Sequence, residues 1–281
     1  MTDRETLAGL DDIAEDSGTL GMNLYGYADG TMKTLSSSAD LGQGPGAVAW
    51  LTGDFFGGNH NGIAQLWDNN GRLGMNIYLE EPFGVGLVFS LADLGQGSGA
   101  VAWLAGDFTH SGQTEIAQLW DNNGRLGLNV YRVALGDTVQ TIPTSDLGQG
   151  PGAVAWLTGD FTGSGETEIA QLWDNNGRLG LNVYLSGIFG SFTEFSSADL
   201  GQGSGALAWL TGDFTGSGQT EIAQLWDNDG KLGLNVYGIS GNTVTAVFHS
   251  ADMGQGSGAL AWLADTLTGS SLTVIAQPWA S

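Results

Sequence analysis

Two apolar runs flank a polar knot in IAQLWDNNGRLGLNVY, residues 169–184. The knot is Asp174-Asn175-Asn176-Gly177, and an Asn-Gly pair between apolar runs is the favoured type I′ hairpin turn. The same pattern recurs at 116–131, as IAQLWDNNGRLGMNIY at 63–78 and as IAQLWDNDGKLGLNVY at 222–237. It belongs to a longer period. The marker DLGQG starts at Asp40, Asp93, Asp146 and Asp199, and returns as DMGQG at Asp252, so five copies follow one another at a step of 53 residues. In the third copy the pattern predicts four short strands: A over GAVAWLTGDF (152–161), B over TEIAQLW (167–173), C over RLGLNVY (178–184) and D over the more variable SFTEFSSADL (191–200). Four antiparallel strands per repeat of this length are the signature of a propeller blade.

The ends carry the argument further. The chain opens on a C strand, LGMNLYGY (20–27), and a D strand ending at Leu41, and it stops after a fifth A strand, GALAWLAD, and a fifth B strand, TVIAQPW. Four whole copies lie between, so a fifth blade assembled from both termini would leave no unpaired sheet edge. The expectation is an all-β, five-bladed β-propeller over residues 18–281, closed by a blade shared between the N- and C-termini. An open solenoid of hairpins is the alternative, and the split-repeat termini argue against it. Residues 1–17 fall outside the count and read as an N-terminal tail; a helical stripe of Leu7, Leu10 and Ile13 is too short to be stable alone.

Composition narrows the function. Of 281 residues 41% are hydrophobic, enough for a sizeable core, and 48 are glycine, which suits a chain of tight turns. Thirty acids against seven bases give a formal charge of −23. Such a chain repels phosphate backbones and anionic lipid surfaces, so neither nucleic acid nor membrane insertion is expected. There is no cysteine, hence no disulfide framework and no thiolate site. The opening MTDRETLAGLDDIAEDSG has no apolar h-region, and no run reaches a membrane-spanning length. As given, the chain reads as cytoplasmic; a secreted form trimmed of a signal peptide is the alternative.

Strand A and the loop after it, AWLTGDFTGSGETEIAQLW (155–173), resemble the FG-GAP or VCBS repeat of integrin-like propellers, whose pattern runs roughly G-D-F-N-G-D-G-x-x-D before an apolar strand. The resemblance covers all five copies. It implies a calcium site in the A–B loop, with oxygen ligands falling on Asp160, Thr162, Ser164 and Glu168. The matching acids are Asp107 with Glu115 in the second copy and Asp213 with Glu221 in the fourth. Two of the family's carboxylates are hydroxyls here, which lowers the ligand charge that a hard cation needs. Copy one offers Asp54 but Gly62 at the last ligand place, and copy five offers Thr266 and Val274. Read from the residues alone, the loop is an Asp- and Gly-rich turn held by side-chain-to-backbone hydrogen bonds, with no cofactor required. The repeat is also similar to the fungal integrin-like lectins. Tachylectin-type lectins share only the blade number and symmetry. Both lectin groups imply shallow sugar sites, one per blade or blade interface.

The three histidines, His60, His110 and His249, sit at different repeat phases, so no repeated His-based site exists and an enzyme is not expected. The B–C turn and the D–A loop DLGQG[PS]GA barely change between copies, and strand alternation places both at the same end of a blade. The loop glycines suit a tight crossing between blades. Trp50, Trp103, Trp156, Trp209 and Trp262, mid-strand in A, read as core, and the recurrent pair Gln171 and Asn182 reads as a buried hydrogen bond.

A second tryptophan series, Trp67, Trp120, Trp173, Trp226 and Trp279, ends strand B. It is followed by Asp68, Asp121, Asp174 and Asp227, then by Asn69, Asn122, Asn175 and Asn228. Four of the seven cations, Arg72, Arg125, Arg178 and Lys231, close the turn. Gln43, Gln96, Gln149, Gln202 and Gln255 stand in the adjacent loop. An aromatic plate beside carboxylate, amide and guanidinium groups is what sugar recognition needs, and glycans or glycoconjugates are the expected partner of a multivalent lectin whose oligomeric state the sequence leaves open, a monomer being plausible. A cross-hairpin pair of Asp174 with Arg178 is the plainer reading of the charges. The alternative function is a structural or protein-interaction propeller, with calcium as a stabiliser. The fifth copy lacks the turn: Glu15, Asp16, Ser17, Gly18 and Thr19 stand where Asp, Asn, Asn, Gly and Arg would be.

Overall fold

The Asn-Gly turns fold as their sequence dictates. In the computed structural model, which describes residues 20–28, 31–38, 41, 46–58, 60–81, 84–134, 138–144, 147, 150–187, 190–241, 243–266 and 272–278, Asn176 and Gly177 have φ of 55° and 86°. Asn70-Gly71, Asn123-Gly124 and Asp229-Gly230 take the same left-handed pair. Two consecutive positive φ values define the type I′ turn whose twist matches an antiparallel hairpin.

All described secondary structure is β. Strands β1 (Met22–Ala28) and β2 (Thr31–Ser38) form a hairpin. Four four-stranded antiparallel sheets follow in chain order. They are β3 (Ala49–Gly53), β4 (Gly62–Asn69), β5 (Arg72–Glu81) and β6 (Gly84–Leu91); then β7 (Ala102–Gly106), β8 (Glu115–Asn122), β9 (Arg125–Ala134) and β10 (Thr138–Thr144); then β11 (Ala155–Gly159), β12 (Glu168–Asn175), β13 (Arg178–Gly187) and β14 (Gly190–Ser197); and β15 (Ala208–Gly212), β16 (Glu221–Asn228), β17 (Lys231–Ser240) and β18 (Thr243–Ser250). A last pair, β19 (Leu263–Thr266) and β20 (Thr273–Ala276), supplies only the A and B strands of a repeat. The N-terminal hairpin has the phase of a C–D pair: Leu41 donates to the Leu20 carbonyl at 3.0 Å just as Leu94 donates to Leu73 at 2.9 Å. Residues 1–17, proposed as a tail, lie outside the described residues.

The boundaries shift from the sequence reading for local reasons. Strand A is shorter than 152–161, because Gly152 and its neighbours belong to the loop and Asp160 opens the next turn. Strand B reaches Asn175, since the ladder continues to the closing pair Asn175 and Arg178. Each C–D pairing carries a register break, between Val183 and Tyr184 in the third sheet and between Val236 and Tyr237 in the fourth, which the loosely repeated D sequence does not announce.

Two compact units divide the chain, residues 1–103 with 132–140, and 104–131 with 141–281. In the first, Leu20, Met22 and Leu41 of the N-terminal hairpin region bury against Ile63, Tyr78 and Val85 of the sheet β3–β6. Ser38 and Val85 also exchange two hydrogen bonds, at 3.1 and 2.9 Å. In the second, the sheets β11–β14 and β15–β18 stack face on face: Phe161, Ala170, Leu172, Leu181 and Val183 meet Ile222, Tyr237 and Ile239. That stacking explains why β12 is buried on both faces rather than alternating. Thr220 staples the same two sheets. Its N–H donates to the Asp160 carbonyl at 2.8 Å, its hydroxyl accepts from the Asp160 N–H at 3.1 Å, and its methyl occupies the space a Cβ on Gly159 would need. Thr167 with Asp107 and Thr273 with Asp213 repeat the staple.

Between strands B and C runs a buried amide network. Gln171 Oε1 accepts from Asn182 Nδ2 at 2.8 Å and from the Tyr184 hydroxyl at 2.6 Å, and Asn182 Oδ1 accepts from the Ser196 hydroxyl at 2.7 Å. Burial pushes all four network phenols up, Tyr78 and Tyr237 to about 12, against the smaller opposing effect of the neighbouring Asn76 and Asn235 amides; Tyr131 and Tyr184 move in the same direction. A raised folded value means that the neutral phenol contributes stability fully below the ordinary value near 10, and that this is lost as pH climbs from about 10 toward 12. The loss is roughly 2–3 kcal/mol for each of Tyr78 and Tyr237. Equilibrium unfolding measured between pH 8 and 12, with phenolate absorbance followed in parallel, should show stability falling steeply above about pH 10 as buried phenols ionise only with unfolding.

Candidate functional site

The second half of the Gln171 amide faces outward from the strand. Its Nε2 donates to the carbonyls of Gly150 and Gly152, at 2.9 and 2.8 Å, and so fixes the D–A loop that enters the sheet. Gln224 clamps Gly203 and Gly205 in the same way at 2.8 Å each, and Gln277 clamps Gly256 and Gly258 at 2.9 and 2.8 Å. All four hydrogen-bonding positions of the Gln171 amide are therefore used.

The clamped loop and strands B and C enclose a cavity. In the third repeat it measures about 460 Å³ and is lined by Gly150, Gly152, Ala153, Val154, Gln171, Trp173, Asp174 and Asn182. In the fourth it measures about 480 Å³, with Gln202, Gly203, Gly205, Ala206, Leu207, Gln224, Trp226, Asp227 and Asn235. Of the residues singled out from sequence, the cavities bring together Trp173 with Asp174, and Trp226 with Asp227 and Gln202. Gln202 thus serves the sheet that follows it, not the hairpin of its own sheet. Sequence reasoning missed Val154 and Leu207, although Val48, Val101 and Leu260 show the same phase: these five aliphatics are all exposed, from 42 to 74%. An apolar residue left exposed at one phase of every copy is the signal that was available.

The tryptophans are placed by glycines. Trp173 pairs across the hairpin with Gly180, and a Cβ built on Gly180 would lie 2.3 Å from the indole Cε2. Gly74, Gly127 and Gly233 support Trp67, Trp120 and Trp226 identically, with closest approaches of 2.3, 2.4 and 2.2 Å. A glycine in mid-strand weakens a sheet unless something packs on its backbone, and here an indole face does. Each of the four indole N–H groups is buried and has no acceptor among the described residues. A buried donor left unpaired costs about 1–3 kcal/mol, so these side chains are not held in place by their hydrogen bonds; one ring face rests on glycine and the residue stays half-exposed beside the cavity.

The remaining polar residues split between cavity and scaffold. Asp174 Oδ1 accepts from the Gly177 N–H at 2.9 Å and from the Ser204 hydroxyl, while its Oδ2 accepts no hydrogen bond among the described residues. Asp68 does the same with Gly71 and Ser98; Asp121 and Asp227 accept from Gly124 and Gly230 at 2.7 and 3.1 Å. Asn175 Nδ2 donates to the Ala198 carbonyl at 2.9 Å, as Asn69 does to Ala92 and Asn228 to Ala251 at 3.0 Å each. Asn122 is likewise engaged. The cations pair forward rather than across the hairpin: Arg72 with Asp93 at 2.8 Å, Arg178 with Asp199 at 2.5 Å, and Lys231 with Asp252 at 2.6 Å. These pairs are exposed and worth little each, yet they and the Gly201 and Gly254 amides hold Asp199 and Asp252 below the usual carboxylate range. Arg125 also has a partner. Gln96 and Gln255 contribute backbone carbonyls, which accept from Leu73 and Leu232 at 2.8 and 2.9 Å. Gln43, Gln149 and Trp279 lie outside the described residues.

At the A–B loops, the implied calcium ligands are already engaged. Glu168 Oε2 accepts from the Phe161 and Thr162 N–H groups at 2.9 and 3.0 Å, and Oε1 from the Thr162 and Ser164 hydroxyls. Asp160 Oδ2 accepts from the Gly165 N–H at 3.1 Å, and its Oδ1 is buried without a donor among the described residues, as are the Oδ1 of Asp54 and the Oε2 of Glu115 in the other copies. Glu221 repeats the pattern with Phe214 and Thr215, Asp213 with Ser217 and Gly218, Asp107 with Ser111 and Gly112, and Glu115 with Thr109 and Ser111. Among the described residues no three His, Asp or Glu side chains gather at one point. Most of these carboxylate oxygens already accept loop donors, so few remain toward the six to eight that calcium takes.

Two outcomes follow. Gly180→Ala should force the Trp173 indole off its strand, lowering stability by about 1–3 kcal/mol in denaturant titration and shifting tryptophan emission. Calcium or a chelator should leave the melting temperature unchanged, since a ligand that binds the native state alone would raise it.

No protein-family model and no curated protein matches the chain. Among solved structures, a lectin of Agrocybe aegerita described as recognising non-reducing terminal N-acetylglucosamine is similar, with a TM-score of 0.53, 16% identity, 81% of this chain covered and 60% of the lectin's. The chain thus spans less than two thirds of that protein. An exotype rhamnogalacturonan lyase, at a TM-score of 0.43, 14% identity and 93% and 61% coverage, and the rhamnogalacturonan lyase of Bacillus licheniformis, at 0.41, 16% and 86% and 59%, resemble it more loosely. The likeness to the lectin is one of fold: an all-β chain of repeated four-stranded antiparallel sheets.

Proposed function

We propose that the chain is a non-enzymatic, multivalent lectin of the FG-GAP repeat type, a five-bladed β-propeller whose fifth blade joins β19–β20 to β1–β2, with one shallow sugar site per repeat. The observation that carries this reading is the tryptophan on its glycine: a large apolar plate, kept in four copies with its N–H unsatisfied, beside a cavity of about 460 Å³ into which Asp174 also faces. Departures from local packing rules concentrate where function demands them. The indole face suits the C–H face of a pyranose, and the free Asp174 Oδ2 accepts from its hydroxyls. Several weak sites on one chain gain strength together when a glycan array engages them at once.

A structural or protein-interaction module is the second reading, favoured by the engagement of Asn175 and Arg178 in the scaffold. Sugar binding separates the two. N-acetylglucosamine, the sugar named for the Agrocybe aegerita lectin, is the first probe on a glycan array. Trp173→Ala and Asp174→Ala should each abolish one site of several, read as a drop in calorimetric stoichiometry with the other sites unchanged. Wild-type protein should bind four sugars well and a fifth poorly, since Gln277 clamps the loop of the last copy while its sequence carries Glu15-Asp16-Ser17-Gly18-Thr19 in place of Asp-Asn-Asn-Gly-Arg. A wild type that binds no glycan sinks the lectin reading.

A further inference from the structure

The exposed aliphatic series has no folding explanation. Val48, Val101, Val154, Leu207 and Leu260 occupy one repeat phase, just before strand A, and none is buried. Val154 and Leu207 line their cavities beside Ala153 and Ala206. An aliphatic side chain and an indole sharing one cavity make an apolar slot, and a bare sugar hydroxyl gains nothing from such a wall.

The copies also differ here in a patterned way. Of the four whole copies three carry Val at this phase and the fourth carries Leu, as does the split fifth with Leu260. The fourth cavity differs at a second lining residue: Asn235, which borders it, is held by His249 Nδ1, whereas the equivalent Asn182 is held by the Ser196 hydroxyl. The asparagine amides are oriented by their bonds to Gln224 and Gln171, so His249 must donate from Nδ1 to Asn235 Oδ1. The larger Leu207 does not shrink the space, since the cavities measure about 460 and 480 Å³. It lengthens the apolar wall.

Resting on the lectin reading, we infer that this aliphatic position is the specificity-determining wall of each site, that it reads a methyl-bearing substituent on the sugar ring, and that the fourth site is a distinct, more strongly methyl-selective class. The shared chemistry is a small apolar group on a pyranose, either an acetamido methyl or the methyl of a 6-deoxy sugar.

The test uses matched pairs: glucose against N-acetylglucosamine, and galactose against 6-deoxygalactose of the same hand. Calorimetry on the full chain compares L207V, which makes the position Val in all four whole copies, with V48L/V101L/V154L, which makes it Leu in all four, Leu260 being Leu in both. These swaps are conservative, and a matching circular dichroism spectrum and melting temperature confirm the fold. The all-Leu protein should prefer the methyl-bearing member of one pair more strongly than the all-Val protein, by about fourfold, the worth of one further buried methylene. The plain sugars should bind both variants alike, and the pair that responds identifies the substituent. Equal selectivity in the two variants, or equal changes for both members of each pair, overturns the inference while leaving the lectin reading standing. Binding of none of the four sugars removes both.

Discussion

The amide of Gln171 and its equivalents is the joint on which the rest depends. One oxygen gathers Asn182 and Tyr184 from the neighbouring strand, and one nitrogen grips two loop carbonyls, so a single side chain sets the strand pairing and the path of the incoming loop together. Burying such a group is costly unless each position is met, and here each is. The cavity is a by-product of that geometry: the loop can approach no closer than the amide allows, and the space left over is bounded by Trp173 on one side and Val154 on the other.

Sequence periodicity made the fold legible because turns and strands obey local rules. An Asn-Gly pair in mid-hairpin has one favoured outcome, and a period of 53 residues leaves little choice of repeat unit. The buried pair of Gln171 with Asn182 was also readable, since two amides recurring on adjacent strands need each other. What escaped was anything decided by the third dimension. Arg178 stands beside Asp174 in sequence, yet it pairs with Asp199, because the D–A loop folds back over the hairpin and brings a carboxylate within 2.5 Å. Asn175 is claimed by the Ala198 carbonyl for the same reason. Of the cluster around the turn, Trp173 and Asp174 therefore border the cavity, while Asn175 and Arg178 hold scaffold.

The A–B loops close on themselves. Hydroxyl and amide donors of the loop converge on the carboxylate oxygens of Asp160 and Glu168 and hold the turn from within. At the opposite end of each sheet the polar balance is less complete, with the indole N–H of Trp173 and its equivalents buried and without an acceptor among the described residues.

The loop of residues 199–206 has a consequence for how the array came to be and how it can be cut. Its first half is bonded to the hairpin behind it, through Leu179 to the Gln202 carbonyl and Leu200 to the Leu179 carbonyl, and its second half is gripped by Gln224 in the sheet ahead. The covalent repeat and the working repeat are therefore out of phase. A module excised before Asp199 would keep the Gln224 clamp but lose the loop's two bonds to Leu179, whereas one opened inside a B–C turn keeps both.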